Sequence, residues 1–97
     1  MFSKLKQIQE MRKKARELKN TLSQERAFGS ALEGKIQIEM TGNQEIEKVT
    51  IDPSLLSTDQ KEKLEEGVKD AFKNALKEIQ HIMARKVQSG ELELPKF

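Results

Sequence analysis

Residues 35–51 read KIQIEMTGNQEIEKVTI, and the period of this stretch decides the fold. In its first half Ile36, Ile38 and Met40 alternate with Lys35, Gln37 and Glu39. Successive side chains of a strand point to opposite faces, so the alternation marks a half-buried strand. Thr41-Gly42-Asn43-Gln44 is a turn signal, because glycine and asparagine accept turn backbone that other residues resist. The second half, IEKVTI, supplies a partner strand with Val49 and Ile51 on one face. Ile46 falls out of phase with them, which predicts a bulge or a strand end near Glu47. The two strands make an antiparallel hairpin. A third, poorer strand is expected within residues 27–32. Asp52-Pro53 closes the hairpin, since proline has no N–H to give to a ladder.

On both sides of this stretch the apolar period lengthens to that of a helix. Leu5, Ile8, Met11, Ala15, Leu18 and Leu22 recur at spacings of three and four, and neither Pro nor Gly occurs before Gly29. A helix of roughly 25 residues would be a rod about 38 Å long. Its stripe, Ile8, Met11, Ala15, Leu18 and Leu22, is as narrow as a coiled-coil seam and calls for a second helix, from this chain or from another copy. After the hairpin, Ser57-Thr58-Asp59-Gln60 fits a capping box, with Ser57 as N-cap and Gln60 reaching back. Leu64, Val68, Ala71, Phe72, Ala75, Leu76, Ile79, Ile82, Met83 and Val87 then form a face wide enough to cover a sheet and a neighbour as well. Gly67 either weakens this helix by up to about 1 kcal/mol or allows close packing. Ser89-Gly90 ends the helix, and Pro95 makes the tail ELELPKF extended.

A chain of 97 residues is one domain, residues 1–97, with a modest core of the kind that oligomerisation often supports. It contains no cysteine, hence no disulfide and no thiolate metal site, which fits a reducing compartment. No apolar run approaches the roughly 18 residues that span a bilayer, and the N-terminal segment lacks the apolar core of a secretory signal. The expectation is a soluble cytoplasmic protein with no membrane partner. Net charge is only +2, but it is unevenly spread. Residues 1–26 carry eight Lys or Arg against three Glu, residues 27–56 two basic against five acidic side chains, and residues 57–97 eight of each. The surplus positive charge sits on the first helix and points to a polyanion.

Other sites are weaker. GSALEGKI at residues 29–36 places Gly29, Gly34 and Lys35 in the register of a phosphate-cradling loop, but Ile36 stands where a hydroxyl should hold magnesium. A charged helix precedes it and an alternating strand follows, the reverse of the strand-then-helix context that aims a helix N-terminus at phosphates. The stretch therefore reads as a loop between helix and strand. His81 is the single histidine and points away from the apolar face, so a metal would have to rest on carboxylates alone. No nucleophile has a discernible base partner. The sequence thus predicts no enzyme, no cofactor, no metal site and no small-molecule substrate.

The basic residues carry the remaining signal. On a helical wheel Lys6 and Lys13 lie opposite the apolar seam, Arg16 is near them, and Arg12, Lys14 and Lys19 flank it. In the last helix Lys69, Lys73, Lys77, His81 and Arg85 repeat every four residues in one row, with Glu66, Asp70 and Glu78 as neighbours. Like charges at that spacing repel slightly unless an anion offsets them. The chain has no Tyr or Trp to stack bases, which disfavours single strands, and the seam is shaped for a helix rather than a membrane surface. Duplex phosphate is the better match, and phosphate contacts carry affinity without sequence information.

The order of segments resembles the YbaB/EbfC family of nucleoid-associated DNA-binding proteins. The likeness rests on Thr41-Gly42-Asn43, on the run Val49-Thr50-Ile51-Asp52-Pro53-Ser54-Leu55-Leu56, on Ala71-Phe72 with Ala75, and on Leu94-Pro95. It runs from Phe2 to Phe97. The resemblance implies an α+β fold with a small antiparallel sheet between a long N-terminal and a long C-terminal helix. It implies a homodimer with tweezer-like helical arms, and DNA binding in the nucleoid without enzyme activity or cofactor. It also assigns the glycines of GSALEGKI to a strand connection. On this reading Lys6, Arg12, Lys13, Lys14, Arg16 and Lys19 contact phosphates of duplex DNA, with Lys73, Lys77 and Arg85 as a secondary stripe. A helical adaptor whose seam pairs with a protein, or an RNA binder, are the alternatives.

Overall fold

The alternating stretch becomes the middle strand of a three-stranded antiparallel sheet ordered β1-β2-β3. The strands are β1 (Arg26–Ala31), β2 (Ile36–Thr41) and β3 (Ile46–Ile51), preceded by helix α1 (Phe2–Ser23) and followed by helix α2 (Lys61–Ser89). The computed structural model describes residues 2–92, so residues 93–97, with Leu94-Pro95 and the tail conformation expected from Pro95, lie outside the described residues. Ile36, Ile38 and Met40 are fully buried on one face of β2, each contributing about 1.5–3 kcal/mol of apolar burial. The third strand exists as expected, one residue earlier, and pairs along its whole length with β2, from Arg26 opposite Thr41 to Ala31 opposite Ile36. In the other pair Glu39 faces Lys48 while Met40 faces Ile46, so Glu47 is the extra residue of a bulge. That bulge puts Ile46 back opposite the inward-facing Met40.

Helix α2 lies over β1 and β2 and buries Gly67, Ala71, Ala75 and Ile79. Its backbone rides directly on β1: a Cβ added to Gly29 would sit 2.1 Å from the Ala71 carbonyl oxygen and 2.2 Å from the Ala75 nitrogen. Gly67 serves close packing, since a Cβ there would meet Ile36 Cδ1 at 2.5 Å. Beyond the helix edge β3 is uncovered, with Ile46 49% and Val49 46% exposed. Gly90 ends α2 in the left-handed conformation, at φ 80°.

Two readings need correction. GSALEGKI is not a loop between helix and strand. Gly29 lies within β1, Gly34 takes φ 85° in the turn that joins β1 to β2, and no helix follows. Nor does Ser57 cap α2. A 3₁₀ turn, Thr58–Gln60, forms first, closed by the Gln60 N–H donating to the Ser57 carbonyl at 3.0 Å, and α2 starts at Lys61. The Ser57 side chain makes no cap bond. The neighbouring Asp59 carboxyl is held below the ordinary aspartate range, chiefly by the Ser57 hydroxyl.

Helix α1 has 22 residues, shorter than expected because the chain turns at Gln24 to enter β1. In chain order the sheet stands between two helices, but in space α2 alone covers it. The radius of gyration is 18.4 Å and the longest extent 64 Å, whereas a compact chain of this length would have a radius near 12.5 Å, by an order-of-magnitude rule. The difference is α1, which projects from one end of the sheet as an arm of about 33 Å.

Candidate nucleic-acid interface

The arm exposes all six residues that the sequence assigns to phosphate: Lys6, Arg12, Lys13, Lys14, Arg16 and Lys19. Among the described residues none of them forms an ion pair. Within α1 seven Lys or Arg stand against Glu10 and Glu17, so the excess of five computed for residues 1–26 belongs to the helix itself. Glu25 and Arg26 cancel at its base, where both make local contacts. The Arg26 guanidinium meets Glu39 at 3.4 Å and donates to the Ser23 carbonyl.

The secondary stripe lies on the other helix. Lys73, Lys77 and Arg85 are exposed along α2, together with Lys69 and His81 of the same row. Lys73 and Lys77 have no acidic partner among the described residues, whereas Arg85 reaches Glu78 at 3.9 Å. Both side chains of that pair are largely exposed, so it is a weak, salt-sensitive contact that a phosphate can replace. The apolar seam on α1 is uncovered as well. Leu5, Ile8 and Met11 are 60%, 49% and 40% exposed, and Ile8, Met11, Arg12 and Ala15 line a shallow groove. No group of three or more His, Cys, Asp or Glu able to hold a metal occurs among the described residues.

The base of the arm holds contacts that sequence reading missed. The turn Thr41-Gly42-Asn43 meets the end of α1. The Thr41 hydroxyl, buried, accepts from the N–H groups of Asn43 at 3.2 Å and Glu45 at 3.4 Å, which fixes the turn. Gly42 then donates to the Leu22 carbonyl at 3.0 Å, and Asn43 Nδ2 donates to the Lys19 carbonyl at 3.0 Å. From the far side Lys86 of α2 reaches Glu25 at 2.8 Å and Glu91 at 3.4 Å. Hydrogen bonding to Glu25 holds the Lys86 ammonium above the ordinary lysine range. The last carbonyls of α1 are thereby all engaged: Asn20 by the Ser23 hydroxyl, Thr21 by Gln24 N–H, Leu22 by Glu25 and Gly42 N–H, Ser23 by Arg26. The turn motif was legible, but its role was not, because nothing in the sequence says which carbonyl a turn faces.

A family model described as the YbaB/EbfC DNA-binding family matches residues 1–92. A nucleoid-associated protein of Rickettsia rickettsii (strain Sheila Smith) is 44% identical over 71 residues, 73% of this chain and 66% of that protein. One from Rickettsia bellii (strain OSU 85-389) is 45% identical over the same coverage. The match thus spans a little under two thirds of the length of these relatives. A crystal structure of an uncharacterized protein from Helicobacter pylori superposes with TM-score 0.68 over 95% of this chain and 98% of that one. At 19% identity that likeness shows the fold.

Proposed function

The chain belongs to the YbaB/EbfC DNA-binding family, and on that footing we propose that it is a nucleoid-associated protein binding duplex DNA as a homodimer with little sequence specificity. The observation that carries this reading is the arm: six exposed cations on one projecting helix, none paired with a carboxylate among the described residues. Unpaired surface cations release counterions from DNA when they meet phosphates, and that release drives binding without reading bases. Lys6, Arg12, Lys13, Lys14, Arg16 and Lys19 make the primary contacts, and Lys73, Lys77 and Arg85 extend them. Work in the nucleoid places the protein in the cytoplasm. The homodimer rests on the apolar surface that one chain leaves open: Ile46 and Val49 on β3, and Phe72 on α2, 39% exposed. A pair of chains presents two arms and roughly doubles the phosphates within reach.

The experiment replaces Lys6, Lys13 and Arg16 together by Glu and measures duplex retention and oligomer mass on one sample. Lost retention with unchanged mass supports the reading; unchanged retention overturns it. The uncovered groove at Ile8, Met11 and Ala15 favours a second reading, a helical adaptor that docks a partner helix on the seam. For that reading, charge reversal leaves DNA retention intact, and Ile8→Glu with Met11→Glu in the groove abolishes capture of the partner.

A further inference from the structure

We infer that Asn43 and Lys86 are positioning residues for DNA binding: they seat the base of the cationic arm from two sides and so set the direction in which its phosphate contacts point. This rests on the DNA-binding reading above.

Apart from the backbone bond from Gly42 N–H to the Leu22 carbonyl, the arm has little else to hold it. Leu5, Ile8 and Met11 are exposed, so burial along the rod does not fix its direction, and Leu18 and Leu22 near its base are the described apolar residues of the seam that are even half-buried. At the base the links are specific and come from separate elements. Asn43, in the β2–β3 turn, reaches the Lys19 carbonyl across 24 positions of sequence. Lys86, near the end of α2, reaches Glu25 at 2.8 Å, just past the end of α1. Glu91 holds the same ammonium at 3.4 Å, and the Leu92 N–H donates to the Lys86 carbonyl at 3.2 Å, so Lys86 is itself braced by the chain that follows α2. The two side chains of the Lys86–Glu25 link are 29% and 26% exposed, less open than any other ion pair among the described residues. A direction error at the base is magnified along the rod. At the far end of an arm of about 33 Å, a swing of roughly 20° displaces a side chain by about 11 Å, more than the spacing of neighbouring phosphates on a strand.

A positioning role differs from a contact role in one measurable way. A residue that neutralises a phosphate sets the steepness of the salt dependence. A residue that orients the arm sets the fraction of molecules whose arm is competent, which scales affinity without changing the number of ions released. Lys86 is already neutralised by Glu25 and Glu91, so its loss should remove no phosphate contact.

The test uses Asn43→Ala, Lys86→Met and the conservative Lys86→Arg in the full chain. The protein has no cysteine, so Gln7→Cys on the arm and Gln37→Cys on the exposed face of the sheet take spin labels at chosen sites. Doubly labelled chains are diluted into unlabelled protein, and the arm-to-sheet distance distribution is read by pulsed electron resonance. Asn43→Ala and Lys86→Met are expected to broaden it, and Lys86→Arg to restore it. Duplex affinity is expected to fall roughly three- to tenfold in the two broadened variants, as the competent fraction falls, with an unchanged slope of log affinity against log salt. Unchanged distance distributions in both variants overturn the inference, as does a Lys86→Met slope shallower by about one ion. If the unsubstituted protein binds no DNA, the DNA-binding reading fails, and the distance distributions still decide whether these residues seat the arm.

Discussion

The backbone N–H of Gly42 donates to the carbonyl oxygen of Leu22 at 3.0 Å, joining the tip of the β2–β3 hairpin to the last turn of α1. The approach is that close because position 42 has no side chain: a Cβ there would lie 2.5 Å from the same oxygen. Leu22 also accepts from the Glu25 N–H at 3.1 Å, so both lone pairs of a helix-end carbonyl are used. One contact therefore ends the helix and ties it to the sheet.

Gly42→Ala separates these partners. The methyl group meets backbone, which cannot rotate aside as a flexible side chain would. Overpacking of this kind costs about 1–3 kcal/mol, so the urea midpoint should fall by a matching amount with an unchanged m-value. A midpoint equal to that of the unsubstituted protein would show that the turn and helix shift apart freely.

Gly29→Ala is predicted to be more damaging. The added methyl would lie 2.1 Å from the Ala71 oxygen and 2.7 Å from Ala75 Cα, in the middle of the helix–sheet contact. Moving α2 outward opens gaps over Ile36, Ile38 and Met40, so the loss should reach about 3 kcal/mol or more. Thermal unfolding by circular dichroism, compared with Ser30→Ala at an exposed position of the same strand, reads the difference.

Asp52 gives the protein an acid-sensitive joint. Its carboxylate accepts from the Ser54 N–H at 2.9 Å, and the bonds from Ser54, more than the nearby Lys35 charge, hold its pKa below the ordinary range. A depressed folded value means stability present above the unfolded pKa and lost as pH falls through the folded one. The gap in urea midpoint between the protein and Asp52→Ala should therefore be full above about pH 5 and close progressively below about pH 4. A gap independent of pH from 7 to about 2.5 would contradict this account.

Replacing Ile46 and Val49 together by Lys tests the proposed dimer. Both are about half exposed in one chain, at 49% and 46%, so the change should leave the fold intact while placing charge in the apolar surface proposed for the partner. Sedimentation is expected to move from dimer to monomer mass with the far-ultraviolet spectrum unchanged. An unaltered dimer mass would place the interface elsewhere.

What the sequence disclosed followed from periodicity. The two-residue alternation of Ile36, Ile38 and Met40 predicted the hairpin, and the phase break at Ile46 predicted a bulge or a strand end near Glu47, of which the structure has the bulge. The helical faces were legible for the same reason. The start of α2 was not. Ser57 and Gln60 have the right identities and spacing for a capping box, and a competing 3₁₀ turn between the same residues took the backbone bond. Charge surplus on the first helix was countable, and so were the six exposed cations. The seating of the arm by Gly42, Asn43 and Lys86 was beyond reach, since it depends on residues 20 to 61 positions apart meeting in space.

The central claim is that the arms neutralise DNA phosphates, and salt dependence tests it most directly. Gel-shift titrations with a mixed-sequence duplex at 50 and 200 mM salt are compared, with oligomer mass measured on the same sample. If a dimer neutralises about six phosphates, affinity should fall roughly 10³-fold across that interval. Lys6, Lys13 and Arg16 replaced together by Gln should make the fall distinctly shallower. A change of less than about tenfold in the unsubstituted protein would contradict phosphate neutralisation by the arms.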